Sequence, residues 1–231
     1  MRFVILMLFL IGLINGQYNG YSVSIQEIEK DMQFVSQYTG INKKYLKAIA
    51  IVESNMNPYA VNVNMIVRKE INANDLIKIV STMKKYKQNH KMKLTIHNKS
   101  IEYDYNDISL LSKLRKLNGN LIVSTNNSIG FDLPTLQDAN AFVKTISDIY
   151  TNLDIGLMQI NYDVWLKNKN LPPQMLFDPL TSLYLASYIL LHNLQIVQNI
   201  QDAVRVYHSW NKDRGNTYIA RINDVLGGVH D

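Results

Sequence analysis

Apolar residues recur at helical spacing near the start of the chain, where Ile25, Ile28, Met32 and Val35 fall three or four apart. Ser24 and Glu27 form a capping box ahead of them and Gly40 stands just past the end, so the pattern predicts a helix over 24–38. A second helix is expected from Asn42, as its cap, through Glu53, with Leu46, Ile49, Ala50 and Val52 on its apolar face. Pro58 blocks its continuation. Helical patterning resumes over 135–150, after Pro134. Asp178-Pro179 sets a cap and a first-turn proline for another helix, which runs through Leu183, Ala186, Ile189 and Leu190. Two more helices are expected near 200–208 and 216–226.

The segment 65–132 reads differently. Leu94-Thr95-Ile96-His97 and Ile101-Glu102-Tyr103 flank Asn98-Lys99-Ser100, a hairpin pattern, and Leu121-Ile122-Val123-Ser124 reads as a short strand. Helices are expected over 74–86 and 107–117. Lys84, Lys85, Lys87, Lys91 and Lys93 make a basic run that suits an acidic polymer or, more simply, a solvated face.

Composition narrows the classes. The chain has 231 residues, 47% of them hydrophobic and 10% aromatic, too apolar for a disordered protein. It has no cysteine, which excludes thiol catalysis, thiolate metal sites and disulfide scaffolds. The net charge of +5 fits nucleic acid, an anionic membrane or a polyanionic wall equally. Met1-Arg2, an apolar run from Phe3 to Ile14 and then Asn15-Gly16-Gln17 read as a secretory signal peptide over 1–16, with an uncleaved signal anchor as the alternative. Either way the body of the protein is expected to be exported, to a periplasm or cell-wall space. Nucleic acid is then not an expected partner, and no stable membrane span remains after cleavage.

Glu53 lies four residues after Ile49 and seven after Leu46, on or beside the apolar face of its helix. The following Ser54-Asn55-Met56-Asn57 turns abruptly polar, so the carboxyl is placed to project from a buried wall into a polar cleft. A general acid needs such a setting. Spacing alone favours a solvated glutamate at a fraying helix end. Gly156-Leu157-Met158-Gln159-Ile160-Asn161 adds a glycine for close backbone approach and two amides suited to sugar hydroxyls and N-acetyl groups. Tyr207-His208-Ser209-Trp210 closes a helix with a polar and aromatic cluster. The five histidines, at 90, 97, 192, 208 and 230, show no metal-ligand spacing.

Taken in order, Ile51-Val52-Glu53-Ser54, Asn57-Pro58-Tyr59-Ala60-Val61-Asn62, Gly156-Leu157-Met158-Gln159-Ile160-Asn161, Asp178-Pro179 and Tyr207 resemble the catalytic domain of lytic transglycosylases of the soluble-transglycosylase type. Leu136-Gln137-Asp138-Ala139 ahead of the second motif, and the Tyr-His-Ser form of the third, are similar to the specialised transglycosylases of conjugation and type IV secretion machines. The resemblance implies a mainly α, goose-type lysozyme-like domain formed by 17–64 and 133–231, carrying a small mixed α/β insertion at 65–132 without which the core is expected to fold. It implies cleavage of the β-1,4 bond between N-acetylmuramic acid and N-acetylglucosamine in peptidoglycan, with formation of the 1,6-anhydro ring. Glu53 would be the catalytic residue, acid and then base. Ser54, Met158, Gln159, Asn161, Tyr207 and His208 would contact the substrate. No cofactor or metal is implied. Glycan strands are the implied partner, with proteins of a secretion or conjugation machine beside them. A muramidase using water and a scaffold that binds peptidoglycan without cleaving it remain the alternatives. Trp210 stands where the family usually has a glycine near the third motif, which departs from the pattern.

Overall fold

The computed structural model describes residues 23–87 and 91–228, so the expected signal segment 1–16 lies outside the described residues. The described residues form two compact units: one holds 23–58, Gly156–Ile160 and 175–228; the other holds those within Tyr59–Ile155 and Asn161–Gln174.

The first unit is helical. Helix Ile25–Thr39 starts at Ser24, whose side chain and that of Glu27 satisfy each other's backbone N–H groups. It ends on Gly40, whose φ of 77° is the left-handed turn a glycine makes at least cost. Ile28, Met32 and Val35 face inward. Helix Lys43–Ser54 is capped by Asn42 and buries Leu46, Ala48, Ile49 and Ala50. Leu46 and Ile49, fully buried, contribute about 1.5–3 kcal/mol each. Asp178 caps Pro179–Val197 by accepting from the Thr181 N–H at 2.7 Å and the Thr181 hydroxyl at 2.6 Å. That helix is long and apolar enough to cross a membrane by length and composition, and half of it is buried within the protein. Helices Ile200–His208 and Lys212–Gly228 complete the unit.

The second unit carries every strand residue but Ile160, which belongs to the first. One sheet has the order Ile129–Asp132, Ala60–Val63, Leu153–Ile155 and Ile160–Asn161, with Val61 opposite Phe131 on one side and Ile155 on the other, both antiparallel. The other has the order Lys69–Asn72, Asn120–Thr125, Lys93–Ile96 and Ile101–Asp104. In its hairpin Leu94 faces Tyr103 and Ile96 faces Ile101. Helix Ala73–Tyr86 packs against helix Leu136–Ser147, with Tyr86 edge-on to Phe142 at 5.7 Å.

The fold class is therefore mixed α/β, with two four-stranded sheets, and the expected mainly α lysozyme-like domain with a small insertion is not what forms. The physical reason is the first sheet. Residues 65–132 supply its strand Ile129–Asp132 and also the helix Ala73–Tyr86, so they are built into a unit that extends well beyond them. Excising them would strip Ala60–Val63 of one ladder partner and expose the apolar face of Leu136–Ser147. Four of the five lysines in the basic run bond locally. Lys84 donates to the Asp107 carbonyl, Lys85 to the Tyr86 hydroxyl and Lys87 to the Gly130 carbonyl, while Lys93 pairs with Glu102.

One buried pair in the helical unit makes stability depend on pH. Asp31 and Asp178 each have a carboxyl oxygen buried without a hydrogen-bond partner among the described residues. Burial first, then the charges of Asp178 and Glu27, push the Asp31 carboxyl up to about 6. The folded chain thus keeps a proton that the unfolded chain releases near the ordinary value of about 3.9. Stability contributed here is full below about pH 4, falls as pH rises to about 6 and stays low above it. Asp31→Asn is expected to flatten that slope and, after discounting for partial exposure, to stabilise the protein by about 1 kcal/mol at pH 7. Melting temperatures of both proteins between pH 4 and 7 check it; an unchanged slope in the variant would refute the assignment.

Candidate active site

The site is built within the helical unit around the end of helix Lys43–Ser54. A helix ends with orphan carbonyls that must be satisfied. Here the backbone N–H groups of Asn55 and Met56 turn back on Ile51 and Ala50, both residues adopting left-handed conformations (φ 52° and 64°). The Arg221 guanidinium donates to the Val52 carbonyl at 3.0 Å. The chain is pinned on both sides of Glu53, whose side chain is only 15% exposed.

Three groups face that carboxylate. His208 Nδ1 lies 3.8 Å from Glu53 Oε1, and the His208 ring stacks on Tyr218, 4.6 Å between centroids and 8° from parallel. Tyr218 is buried, and its hydroxyl makes no hydrogen bond of full geometry among the described residues. Burial first, then the charge of Glu53 and the Tyr207 hydroxyl, hold the Tyr218 phenol well above its ordinary value. The third is Arg221, whose charge opposes that rise.

The glycine motif forms a turn. Gly156 sits at φ 81°, and the Gln159 N–H closes on the Gly156 carbonyl at 3.1 Å. The Gln159 side-chain amide donates to the same oxygen at 2.9 Å. A Cβ at Gly156 would stand 2.0 Å from the Leu176 carbonyl oxygen, so only glycine lets the two backbones approach this closely. Met158 is fully buried; its N–H donates to the Ser182 hydroxyl and its carbonyl accepts from the Tyr207 hydroxyl at 2.8 Å. The Ser54 hydroxyl is buried between the Ala50 carbonyl (3.0 Å) and the Leu157 carbonyl (2.8 Å).

The structure thus brings Glu53, Ser54, Met158, Gln159, Tyr207 and His208 into one unit, with different duties. The Glu53 carboxylate and the His208 ring face each other. Ser54, Met158 and Tyr207 tie the glycine turn to the Glu53 helix and to helix Ile200–His208. Asn161 belongs to the second unit, where it caps the turn Tyr162–Trp165 and donates to Asn152 (2.9 Å) and Asp154 (2.8 Å). Asp154 also accepts from Asn62, and Asp163 accepts from Thr151 and Lys167, so both carboxylates serve the local fold there. Trp210 is 60% exposed.

Tyr218 and Arg221 were not anticipated. An aromatic residue at helical spacing usually marks core, and Tyr218 is core by burial; only its hydroxyl, next to Glu53, sets it apart. The two tyrosines should separate in their effects. Tyr207→Phe leaves the buried Met158 carbonyl unpaired and is expected to cost about 1–2 kcal/mol. Tyr218→Phe removes a hydroxyl without a full partner and is expected to shift stability by less than about 0.5 kcal/mol. Urea unfolding midpoints of the two variants test the contrast.

No family model, no curated protein and no solved structure matches this chain.

Proposed function

We propose that this protein is a peptidoglycan lytic transglycosylase, working on glycan strands outside the cytoplasmic membrane, in the service of local wall opening for a secretion or conjugation machine. The supporting observation is Glu53: a largely buried carboxyl held at a pinned helix end, 3.8 Å from His208 and beside a phenol that stays protonated.

The reaction needs one group that gives a proton and takes one back. The Glu53 carboxyl protonates the glycosidic oxygen as the bond from muramoyl C1 breaks, and N-acetylglucosamine departs with a free 4-hydroxyl. The muramoyl C6 hydroxyl then forms a bond to C1 and gives its proton to the Glu53 carboxylate. Glu53 ends as it began and no water is consumed, whereas a common glycosidase divides these duties between two carboxylates. The Tyr218 hydroxyl steadies the carboxylate in mid-cycle. Tyr207 and Ser54 hold the Gly156–Gln159 turn that walls the site. Asn161, engaged within the second unit, has no part in this scheme.

Mass spectrometry of isolated sacculi digested with the purified protein tests the proposal. Muramoyl ends in the 1,6-anhydro form are expected. Reducing muramoyl ends would make it a muramidase, and tight binding without release would make it a scaffold; either result overturns the reading.

A further inference from the structure

Next to Glu53, and within the same unit, lies an open pocket of about 300 Å³ lined by His208, Asp213, Arg214, Thr217, Tyr218 and Arg221. Its long wall is one face of helix Lys212–Gly228, where residues 214, 217, 218 and 221 follow at helical spacing. Its floor is the Tyr218 ring stacked on His208. Arg221 spends one N–H on the Val52 carbonyl, which holds its guanidinium one residue from Glu53. A guanidinium has five N–H donors, so most of its fork stays available. Arg214 is exposed and its side chain engages no partner among the described residues. Against these two cations the lining offers one carboxylate, Asp213.

We infer that this pocket is an anion subsite that takes the carboxylates of the short peptide borne by the muramoyl residue. The inference rests on the glycan-cleaving reading of Glu53. The sugars of such a strand are neutral, and its acidic groups sit on the peptide that extends from the muramoyl lactyl ether. Guanidinium forks match planar carboxylates in paired hydrogen bonds, which an ammonium group cannot do. The volume is at the small end for ligand pockets and suits one or two amino-acyl residues rather than a length of glycan. With the peptide seated beside helix Lys212–Gly228, the muramoyl sugar that carries it is presented to Glu53. The enzyme would therefore favour strands that still carry their peptides over strands stripped of them.

The test is a calorimetric titration of the full chain carrying Glu53→Gln, which prevents turnover. The probes are a soluble muramoyl tetrapeptide and the same compound with every carboxyl amidated. The free acid is expected to bind about tenfold more tightly than the amide, the size of effect a charge-assisted fork supplies. Arg214→Gln should erase that difference, and its exposed, unpartnered side chain leaves folding intact. Arg221→Lys, which keeps the charge and loses the fork, should reduce it. Equal binding of acid and amide, or no binding of either, overturns the subsite. Digestion of sacculi is scored separately: cleavage without a carboxylate effect removes the subsite alone, and a carboxylate effect without cleavage removes the transglycosylase reading alone.

Discussion

Glu53→Gln is expected to abolish release of anhydro-muropeptides from sacculi, with turnover falling at least about a thousandfold. Proton transfer by a positioned side chain supplies about 10²–10⁴-fold, and here one carboxyl would perform both transfers. Glutamine has nearly the same shape, so the loss should come without unfolding. The end of the Glu53 helix is held by bonds that do not involve the Glu53 side chain, namely Ser54 to Leu157 and Arg221 to Val52. The variant should therefore melt within a few degrees of the parent and still retain glycan. Tyr218→Phe should give a smaller fall in turnover with equal binding, because it leaves the acid in place and removes only its neighbour. Timed digests read by mass spectrometry, with melting curves beside them, check this. A Glu53→Gln protein that still releases anhydro ends would show that another group carries the chemistry.

Gly156→Ala is expected to cost about 4 kcal/mol, a large share of the 5–15 kcal/mol that holds a typical protein together. Two independent penalties meet there. The backbone is at φ 81°, where a side chain costs roughly 1–2 kcal/mol. The new methyl would also stand 2.0 Å from the Leu176 carbonyl oxygen, a distance no contact tolerates, and that atom is backbone and cannot swing aside. Gly40 is the internal control. It has a similar φ of 77°, but a Cβ there meets nothing within 4 Å, so Gly40→Ala should show only the conformational part. Chemical unfolding of the two variants separates strain from collision. Equal losses at both positions would mean that the close approach at Leu176 is relieved at little cost.

The helices were legible because their ends carry chemistry. Ser24 with Glu27, Asn42, and Asp178 followed by proline all cap helices as their side chains predict. The strands that changed the fold class were not legible. Ala60–Val63, Ile129–Asp132 and Leu153–Ile155 are four residues or fewer, too short for alternation to stand out, and their pairing joins segments far apart in the chain. Sequence order put Glu53, Met158, Tyr207 and His208 forward together, and the fold does gather them. It could not say which atoms would be used. Ser54 and Met158 read as substrate contacts because of their motifs, yet the Ser54 hydroxyl is held by two backbone carbonyls and the Met158 backbone by the Ser182 and Tyr207 hydroxyls. Asn161 read as a ligand amide, yet its side chain caps a helical turn. Tyr218 was hidden by its own apolarity.

The helical unit is assembled from three stretches of chain, with Tyr59–Ile155 and Asn161–Gln174 intervening. The Glu53 helix is made early, but its satisfied carbonyls and buried neighbours depend on Gly156–Ile160 and on Arg221, which arrive much later. Closing so long a loop carries an entropy that grows only slowly with its length, and prior folding of the intervening unit shortens the effective span. The order of folding follows from that connectivity: the strand-bearing unit can form first and on its own contacts, and the pocket around Glu53 forms last, once the final helix has been synthesised. Truncation between Gln174 and Arg221 would then yield a chain with an intact sheet unit and an unfinished site.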